Sequence, residues 1–115
     1  MLFLNYPKCT TCVKARKFLE EKNLTIKNRD IKINNPTYEE LKEWYTKSSL
    51  PLKRFFNTSG NSYKELGLKD KLDNMTEDEQ LKLLATDGML VKRPILVTDT
   101  SVAVGFKEDE WSALL

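Results

Sequence analysis

Apolar residues follow two different periods along the chain, and the changes between them mark the predicted elements. Residues 2–6 form a short apolar run that is typical of a buried strand. From Thr10 onwards, apolar residues recur at spacings of three and four, which predicts a helix with one buried face. Residues 24–31 then alternate apolar with polar and predict a second strand. A strand, a helix and a strand in this order predict a right-handed crossover between parallel strands.

The middle of the chain, residues 36–90, is predicted to be a helical insert. Two Thr-x-x-Glu sequences in this region have the spacing of a capping box, in which the first residues of a helix satisfy its free backbone N–H groups. These pairs are Thr37 with Glu40 and Thr76 with Glu79. A turn is predicted over residues 60–62, where glycine, asparagine and serine follow one another.

The last third of the chain predicts a return to strands. Residues 94–98 and 102–105 are rich in β-branched side chains, and three polar residues connect them in a hairpin-like manner. Residues 108–115 predict a terminal helix with Trp111 and Leu114 on its buried side. The full order is β-α-β, a helical insert, then β-β-α, which predicts an α/β thioredoxin-like fold with a central mixed sheet. We expect one domain over residues 1–115.

Composition excludes several classes of protein. The 115 residues are 40% hydrophobic and 31% charged, which is typical of a soluble globular domain. No apolar run approaches the roughly 18 residues that cross a bilayer, and no signal-peptide pattern occurs, so we expect a cytoplasmic protein without membrane contact. The 19 basic residues are interleaved with 17 acidic ones, and the net charge of +2 argues against direct nucleic-acid binding.

The chain contains no histidine and only two cysteines. Without an imidazole there is no Ser-His or Cys-His pair, so any nucleophile must be activated by nearby charges and dipoles. Two thiols are too few for a closed four-thiolate zinc site within one chain, and we expect neither a metal nor a bound cofactor. A Cys-x-x-Cys sequence in a cytosolic protein instead indicates redox chemistry.

The two cysteines, Cys9 and Cys12, lie where the first predicted strand ends and the first helix begins. The first turn of a helix carries unpaired N–H groups and the positive end of the helix dipole, both of which stabilise a thiolate. Cys9 precedes the helix and is predicted to attack a substrate. Cys12 lies three residues later and is predicted to resolve the mixed disulfide. Two alternatives stay open at this point, namely buried cysteines without a redox role and half of a metal site completed by a second chain.

A second candidate feature is the dipeptide Arg93-Pro94 at the start of a predicted strand. Proline lacks an N–H group and suits the first position of a strand. Thioredoxin-like folds have a cis proline at this place, packed against the active-site cysteines. Arg93 would then place a positive charge near Cys9, favouring a thiolate or an oxyanion substrate. The alternative is a surface arginine before an ordinary turn proline.

With these features in the same chain, the sequence resembles the ArsC-type family. That family comprises glutaredoxin-coupled arsenate reductases, YffB-type thiol reductases and Spx transcription regulators. The resemblance extends over essentially the whole length. The matching segments are residues 6–12, residues 36–37, residues 63–68, residues 93–97 and residues 104–108.

The resemblance implies roles for individual residues. Cys9 matches the nucleophile of the arsenate reductases, and Arg93 and Arg54 match arginines that hold the oxyanion. Thr10 and Thr11 are expected beside the substrate. A third arginine of those enzymes would fall at residues 106–107, which are Phe-Lys here, so arsenate is a doubtful substrate. The second thiol, at Cys12, instead favours a thioredoxin-like cycle.

We therefore expect an arsenate-reductase-like thiol-disulfide oxidoreductase that works as a monomer on a small thiol or disulfide. Its electron donor would be glutathione with glutaredoxin, or thioredoxin. The alternative is an Spx-like redox-sensing regulator that binds the C-terminal domain of the RNA polymerase α subunit. Residues 53–60 and 63–67 resemble the reductase branch, and the basic tail usual in Spx does not follow residue 115, so the enzyme is favoured.

Overall fold

Four short strands form a mixed sheet at the centre of the molecule, in the order β2-β1-β3-β4. The structure is a computed structural model that describes residues 1–115. Strand β1 pairs in parallel with β2 and antiparallel with β3, and β3 pairs antiparallel with β4. The strands are β1 (Leu2–Asn5), β2 (Lys27–Asp30), β3 (Ile95–Val97) and β4 (Val102–Val104).

Six α-helices surround this sheet, and none is long and apolar enough to cross a membrane. Helix α1 follows β1, helices α2 to α5 lie in the sequence between β2 and β3, and α6 follows β4. The helices are α1 (Thr10–Glu21), α2 (Tyr38–Ser48), α3 (Asn61–Glu65), α4 (Leu68–Lys71), α5 (Glu77–Leu84) and α6 (Glu108–Leu114). Three 3-10 helices complete the insert region, at Leu52–Phe55, Leu72–Asn74 and Gly88–Leu90.

The two faces of the sheet support separate apolar clusters. Phe3 and Leu96 point to the face covered by α1 and α6, where Trp111 is fully buried. Leu4 and Ile95, one position along in each strand, point to the opposite face and pack with the insert. This alternation follows from the period of two in a strand. The predicted α/β fold, with a central mixed sheet and a helical insert, is confirmed.

Three details differ from the prediction. Strand β2 covers only Lys27–Asp30, because the four residues of β1 offer it only four partners. The predicted turn at residues 60–62 is the start of α3, with Gly60 as the N-cap residue. Leu114 is 40% exposed, because it lies in the last turn of a seven-residue helix that only Trp111 anchors to the sheet.

Arg29 ties the sheet to the insert, a role that sequence analysis missed. Its guanidinium binds both carboxylate oxygens of Glu40 on α2, at 2.7 and 2.9 Å. It also donates to the backbone carbonyls of Asn34 and Asn35. Hydrogen bonds from Arg29 hold the pKa of Glu40 below its usual value despite partial burial, with help from Thr37. Both predicted capping boxes, which start α2 and α5, are present.

Candidate active site

Cys9 is the N-cap residue of α1, immediately after the turn that follows β1. Its backbone is extended, and its N–H donates to the carbonyl of Tyr6 at 2.9 Å. The Cys9 sulfur accepts a hydrogen bond from the backbone N–H of Cys12 at 3.4 Å. A cap position leaves the side chain partly exposed, so the Cys9 thiol is accessible to a substrate.

Cys12 lies in the first turn of α1 with its side chain pointing to the interior. It is fully buried, and its sulfur accepts a hydrogen bond from the backbone N–H of Tyr6 at 3.5 Å. The two thiols are free in this structure. The predicted placement at the junction of strand and helix is therefore present, with one thiol outside the core and the other inside it.

The surroundings shift the pKa values of the two thiols in opposite directions. Partial burial raises the pKa of the Cys9 thiol, but hydrogen bonds from the Cys12 side chain and backbone, together with the charge of Arg93, outweigh it and lower the pKa. Burial raises the pKa of Cys12 most, and the hydrogen bond and negative charge of Cys9 raise it further. The hydrogen bond from the N–H of Tyr6 acts in the opposite direction, and the resulting pKa is about 12. Cys9 is therefore the thiol of the pair that ionises first.

Arg93 reaches the thiols from the segment before β3. The peptide bond between Arg93 and the buried Pro94 is cis, as the fold predicts. The guanidinium carbon lies 5.4 Å from the centre of the Tyr6 ring, and the amine of Lys32 lies 6.0 Å from the same ring. Arg93 Nε and Nη1 are buried and have no hydrogen-bond partner in the protein. The guanidinium thus lies over an aromatic ring, and its Nε and Nη1 donors have no partner within the protein.

A cavity of about 430 Å³ opens beside this arginine, and we call it the inner cavity. The polar lining residues that the sequence predicted come from three separate parts of the chain. Thr11 belongs to α1, Arg54 to the 3-10 helix Leu52–Phe55, and Arg93 to the segment before β3. The structure therefore brings together the predicted residues Thr11, Arg54 and Arg93. Thr10 is exposed at the start of α1 and does not line this cavity.

Two lysines that sequence analysis did not assign also line the inner cavity, Lys92 and Lys107. Lys107 lies in the segment where the third arginine of the arsenate reductases was expected. The chain turns there at Gly105, whose φ of +76° is a conformation that glycine adopts readily. Lys107 was missed because the family resemblance predicts an arginine in this segment. Nothing in the local sequence shows that Lys92 faces this cavity.

Backbone hydrogen bonds hold the segments that carry these cations side by side. The N–H of Lys92 donates to the carbonyl of Phe55 at 2.8 Å, and the N–H of Asn57 donates to the carbonyl of Leu90 at 2.7 Å. Phe56 and Val91 form an isolated antiparallel bridge between these two bonds. Main-chain hydrogen bonds thus hold the backbone at Arg54 and Lys92 side by side.

The arrangement suits chemistry on a sulfur atom next to a negative charge. A partly exposed thiol with a lowered pKa lies beside a buried thiol, and cations line a cavity next to Arg93. Nowhere in the chain are three or more His, Cys, Asp or Glu side chains grouped as metal ligands would be. The site residues that the structure brings together are therefore two thiols and several cationic side chains.

Comparisons with known proteins agree with this architecture. The sequence profile of the ArsC family matches residues 4–114. An ArsC-family-related protein from Bacteroides fragilis has a crystal structure that is 59% identical in sequence, with a TM-score of 0.97 over 99% of this chain and 96% of that one. A crystal structure from Streptococcus mutans, described as a possible arsenate reductase, is 43% identical, with a TM-score of 0.89 over 96% of both chains.

A relative with a different role is also similar. The regulatory protein MgsR of Bacillus subtilis is 30% identical over 110 residues, which are 96% of this chain and 86% of MgsR. The matching proteins thus include both arsenate-reductase-like proteins and regulators.

Proposed function

The chain belongs to the ArsC family, and we propose that it is an arsenate-reductase-like thiol-disulfide oxidoreductase that uses Cys9 and Cys12. The observation that carries this proposal is the opposite environment of the two thiols. Cys9 is partly exposed and has a lowered pKa, whereas Cys12 is fully buried and has a raised one. A nucleophile and a resolving thiol need this division of properties.

In the first step the Cys9 thiolate attacks one sulfur of a substrate disulfide. A bond forms between Cys9 and that sulfur, the substrate's own S–S bond breaks, and the other half leaves as a thiolate that takes a proton from solvent. Because Cys12 is fully buried and protonated, it does not compete for the substrate.

In the second step Cys12 gives its proton to solvent and attacks the sulfur of Cys9. The bond between Cys9 and the substrate breaks, and the remaining half of the substrate leaves as a thiolate that takes up a proton. The negative charge of Cys9 has by then disappeared into the mixed disulfide. That charge is one cause of the raised pKa of Cys12, so the first step makes Cys12 easier to ionise. The substrate gains two electrons, and the protein ends with a Cys9–Cys12 disulfide.

An external thiol must reduce this disulfide for the cycle to continue. We propose glutathione with glutaredoxin, or thioredoxin, as the donor, and no bound cofactor. Two donor thiols are oxidised to one disulfide for each pair of cysteines restored, which balances the electrons.

The test is turnover of bis(hydroxyethyl) disulfide, measured with each donor system for the wild type, Cys9→Ser and Cys12→Ser. We expect turnover by the wild type and loss to background in Cys9→Ser, because a serine hydroxyl is not ionised at neutral pH. Cys12→Ser should turn over more slowly, since release then depends on the external thiol. Full activity in Cys9→Ser would contradict the proposal.

Arsenate is the natural second substrate to try in the same assay. Four cationic side chains line the inner cavity next to Thr11, namely Arg54, Lys92, Arg93 and Lys107. Arsenate reduction that Cys9→Ser and Arg93→Gln both abolish would place this protein with the arsenate reductases in activity. No reduction with any donor would limit it to disulfides.

The second candidate function is a redox-sensing regulator that binds the RNA polymerase α C-terminal domain, and the similarity to MgsR favours it. The same two thiols would then report oxidation by forming a disulfide. Titration of the isolated α C-terminal domain into the reduced and the oxidised protein separates the two functions. Tight binding that depends on the Cys9–Cys12 disulfide, without turnover of any disulfide, would favour the regulator.

A further inference from the structure

Tyr6 contacts both cysteines of the candidate site through its backbone. Its N–H donates to the sulfur of Cys12 at 3.5 Å, and its carbonyl accepts the N–H of Cys9 at 2.9 Å. Pro7 and Lys8 form the turn between Tyr6 and Cys9. The backbone of Tyr6 is therefore held close to the two cysteines, and its ring starts from that position.

Two cations from other segments of the chain converge on the ring of Tyr6. The guanidinium carbon of Arg93 lies 5.4 Å from the ring centre, and the amine of Lys32 lies 6.0 Å from it. Arg93 precedes β3, whereas Lys32 belongs to the turn after β2, where a carboxylate oxygen of Asp30 accepts its N–H at 2.9 Å. Both distances lie within the roughly 6 Å over which an aromatic ring attracts a cation.

Few polar contacts within the protein hold the guanidinium of Arg93. Its Nε and Nη1 atoms are buried without a hydrogen-bond partner, and neither ion pair of the protein includes Arg93. An arginine side chain loses rotamer entropy when it keeps one conformation, so a packing contact must compensate for that loss. The ring of Tyr6 provides such a contact.

The place of this guanidinium matters to Cys9. Partial burial raises the pKa of the Cys9 thiol, hydrogen bonds from Cys12 lower it, and the charge and hydrogen bonding of Arg93 lower it further. Electrostatic attraction weakens with distance, so an Arg93 side chain that moved away from the sulfur would stabilise the thiolate less.

We propose that Tyr6 is a positioning residue, whose ring holds the guanidinium of Arg93 beside the sulfur of Cys9 and thereby makes Cys9 reactive at neutral pH. The ring acts through Arg93, and no bond to Tyr6 forms or breaks. The proposal rests on the proposed role of Cys9 as the nucleophile and adds the residue that prepares it.

The groups that shift the pKa of Cys9 are Cys12 and Arg93. Other charged side chains come from the turn before α1, from the end of β2 and from the lining of the inner cavity, and they are Lys8, Asp30, Lys32, Arg54, Lys92 and Lys107. Most of these are exposed, so solvent and salt screen their charges. A substitution of Tyr6 should therefore reach Cys9 through Arg93.

The experiment follows the rate of alkylation of Cys9 by iodoacetamide against pH, in a Cys12→Ser background. The variants are Tyr6→Leu, Tyr6→Met and Tyr6→Phe. Leucine and methionine are apolar side chains without a ring, and two such variants keep the comparison available if one of them does not fold. Phenylalanine keeps the ring and lacks only the hydroxyl.

Tyr38→Leu is the matched control. Tyr38 is half-buried like Tyr6, and its ring centre lies 5.9 Å from the amine of Lys42. It lies on α2, however, and its hydroxyl donates to Asp78 of α5. This variant therefore removes a ring with a nearby cation elsewhere in the protein, and its alkylation profile should match that of the parent.

We expect the midpoint of the profile to move to higher pH in Tyr6→Leu and Tyr6→Met. Below the midpoint the alkylation rate should fall about threefold, the effect of losing one contact between a cation and a ring. The plateau at high pH should keep its height, because the thiolate is then fully formed in every variant. Tyr6→Phe should keep the midpoint of the parent, whereas an equal shift in this variant would assign the effect to the hydroxyl and overturn the proposal.

A second comparison tests whether Tyr6 acts through Arg93. In an Arg93→Gln background, Tyr6→Leu should cause no further shift, because the cation that the ring holds is already absent. An equal shift in both backgrounds would overturn the proposal, and so would a Tyr6→Leu profile that superimposes on that of Tyr38→Leu.

Failure of this proposal is distinguishable from failure of the proposed function, because alkylation needs no disulfide substrate. Normal turnover of bis(hydroxyethyl) disulfide together with an unshifted Tyr6→Leu profile would overturn the role of Tyr6 alone. The expected shift together with no turnover of any disulfide by the wild type would support the role of Tyr6 and overturn the proposed function.

Discussion

Cys9 and Cys12 lie three residues apart, yet the fold gives them different depths. Cys9 caps the helix from outside its first turn, whereas Cys12 points into the core and is fully buried. Both sulfurs accept backbone N–H groups, from Cys12 and Tyr6 respectively. What separates them is burial, which raises the pKa of Cys12 most, and the hydrogen bond between the two side chains, which lowers the pKa of Cys9 and raises that of Cys12. Cys9 is therefore the group that ionises first.

The charge of Arg93 gives the first prediction at this scale. Arg93→Gln should raise the pKa of the Cys9 thiol, because the substitution removes a positive charge that stabilises the thiolate. The rate of alkylation of Cys9 by iodoacetamide, followed against pH in a Cys12→Ser background, should therefore reach half its maximum at a higher pH. Arg54→Gln is the matched control, since Arg54 is not among the groups that shift the pKa of Cys9. Superimposable profiles for the Arg93→Gln variant and its parent would contradict this account.

At the residue scale, the sequence alone could predict those site residues whose role depends on local order along the chain. The pair Cys9 and Cys12, and the cis proline after Arg93, are of this kind. The places of Lys92 and Lys107 in the cavity, and the contact of Arg93 with the Tyr6 ring, could not be predicted, because each depends on which distant segments the fold brings together.

Short elements align the insert with the sheet at the site. The 3-10 helix Leu52–Phe55 carries Arg54, and one isolated bridge between Phe56 and Val91 aligns it with the segment that carries Arg93. The longer helices α1, α2 and α5 were predictable because their apolar period and capping residues extend over several turns. Single bridges and four-residue helices have no repeating pattern, so sequence analysis could not align the insert with the sheet.

Gly88 provides a prediction at the scale of elements, because it allows the end of the insert to approach the end of β2. A Cβ atom at Gly88 would lie 1.8 Å from the carbonyl oxygen of Ile31, which is rigid backbone. Gly88→Ala should therefore lower the free energy of unfolding by about 3 kcal/mol, as measured by urea denaturation.

Gly60→Ala is the matched control for that measurement. A Cβ atom at Gly60 would meet the end of the flexible Asn57 side chain, and the φ of −79° suits any residue. Its effect on the free energy of unfolding should stay within about 1 kcal/mol. Equal stabilities for Gly88→Ala and Gly60→Ala would show that the contact between the insert and residue 31 is not close.

At the scale of the whole molecule, the sheet separates two layers that have different tasks. Helices α1 and α6 pack on one face and support the cysteines, while the insert packs on the other and provides Arg54. The inner cavity lies where residues from both layers meet, since Thr11 and Arg54 both line it. Attachment of the insert to the sheet is therefore a condition for assembling the site.

The ion pair between Arg29 and Glu40 provides a test of that attachment. Arg29→Gln should lower the free energy of unfolding by about 2 kcal/mol at neutral pH, because it breaks charge-assisted hydrogen bonds at a side chain that is only 13% exposed. The loss is measured by urea denaturation. Lys82→Gln breaks an exposed pair with Asp78 and is the control, for which no measurable loss is expected.

The loss of unfolding free energy in Arg29→Gln should depend on pH with a definite sign. The pKa of Glu40 is lower in the folded state than in the unfolded chain, so its pairing stabilises the protein above the unfolded value of about 4.3. The stabilisation is lost as the pH falls through the lower, folded pKa. The difference between the wild type and Arg29→Gln should therefore be constant at neutral pH and shrink in acid. A difference that grows in acid would contradict the assignment.

The central claim is that Cys9 attacks and Cys12 resolves, and trapping the intermediate tests it most directly. Reduced Cys12→Ser and reduced wild type are each mixed with bis(hydroxyethyl) disulfide, quenched with acid and analysed by intact mass and peptide mapping. We predict a stable mixed disulfide at Cys9 in Cys12→Ser, and a Cys9–Cys12 disulfide without an adduct in the wild type. An equally stable adduct in both proteins, or no adduct at Cys9 in Cys12→Ser, would contradict the claim.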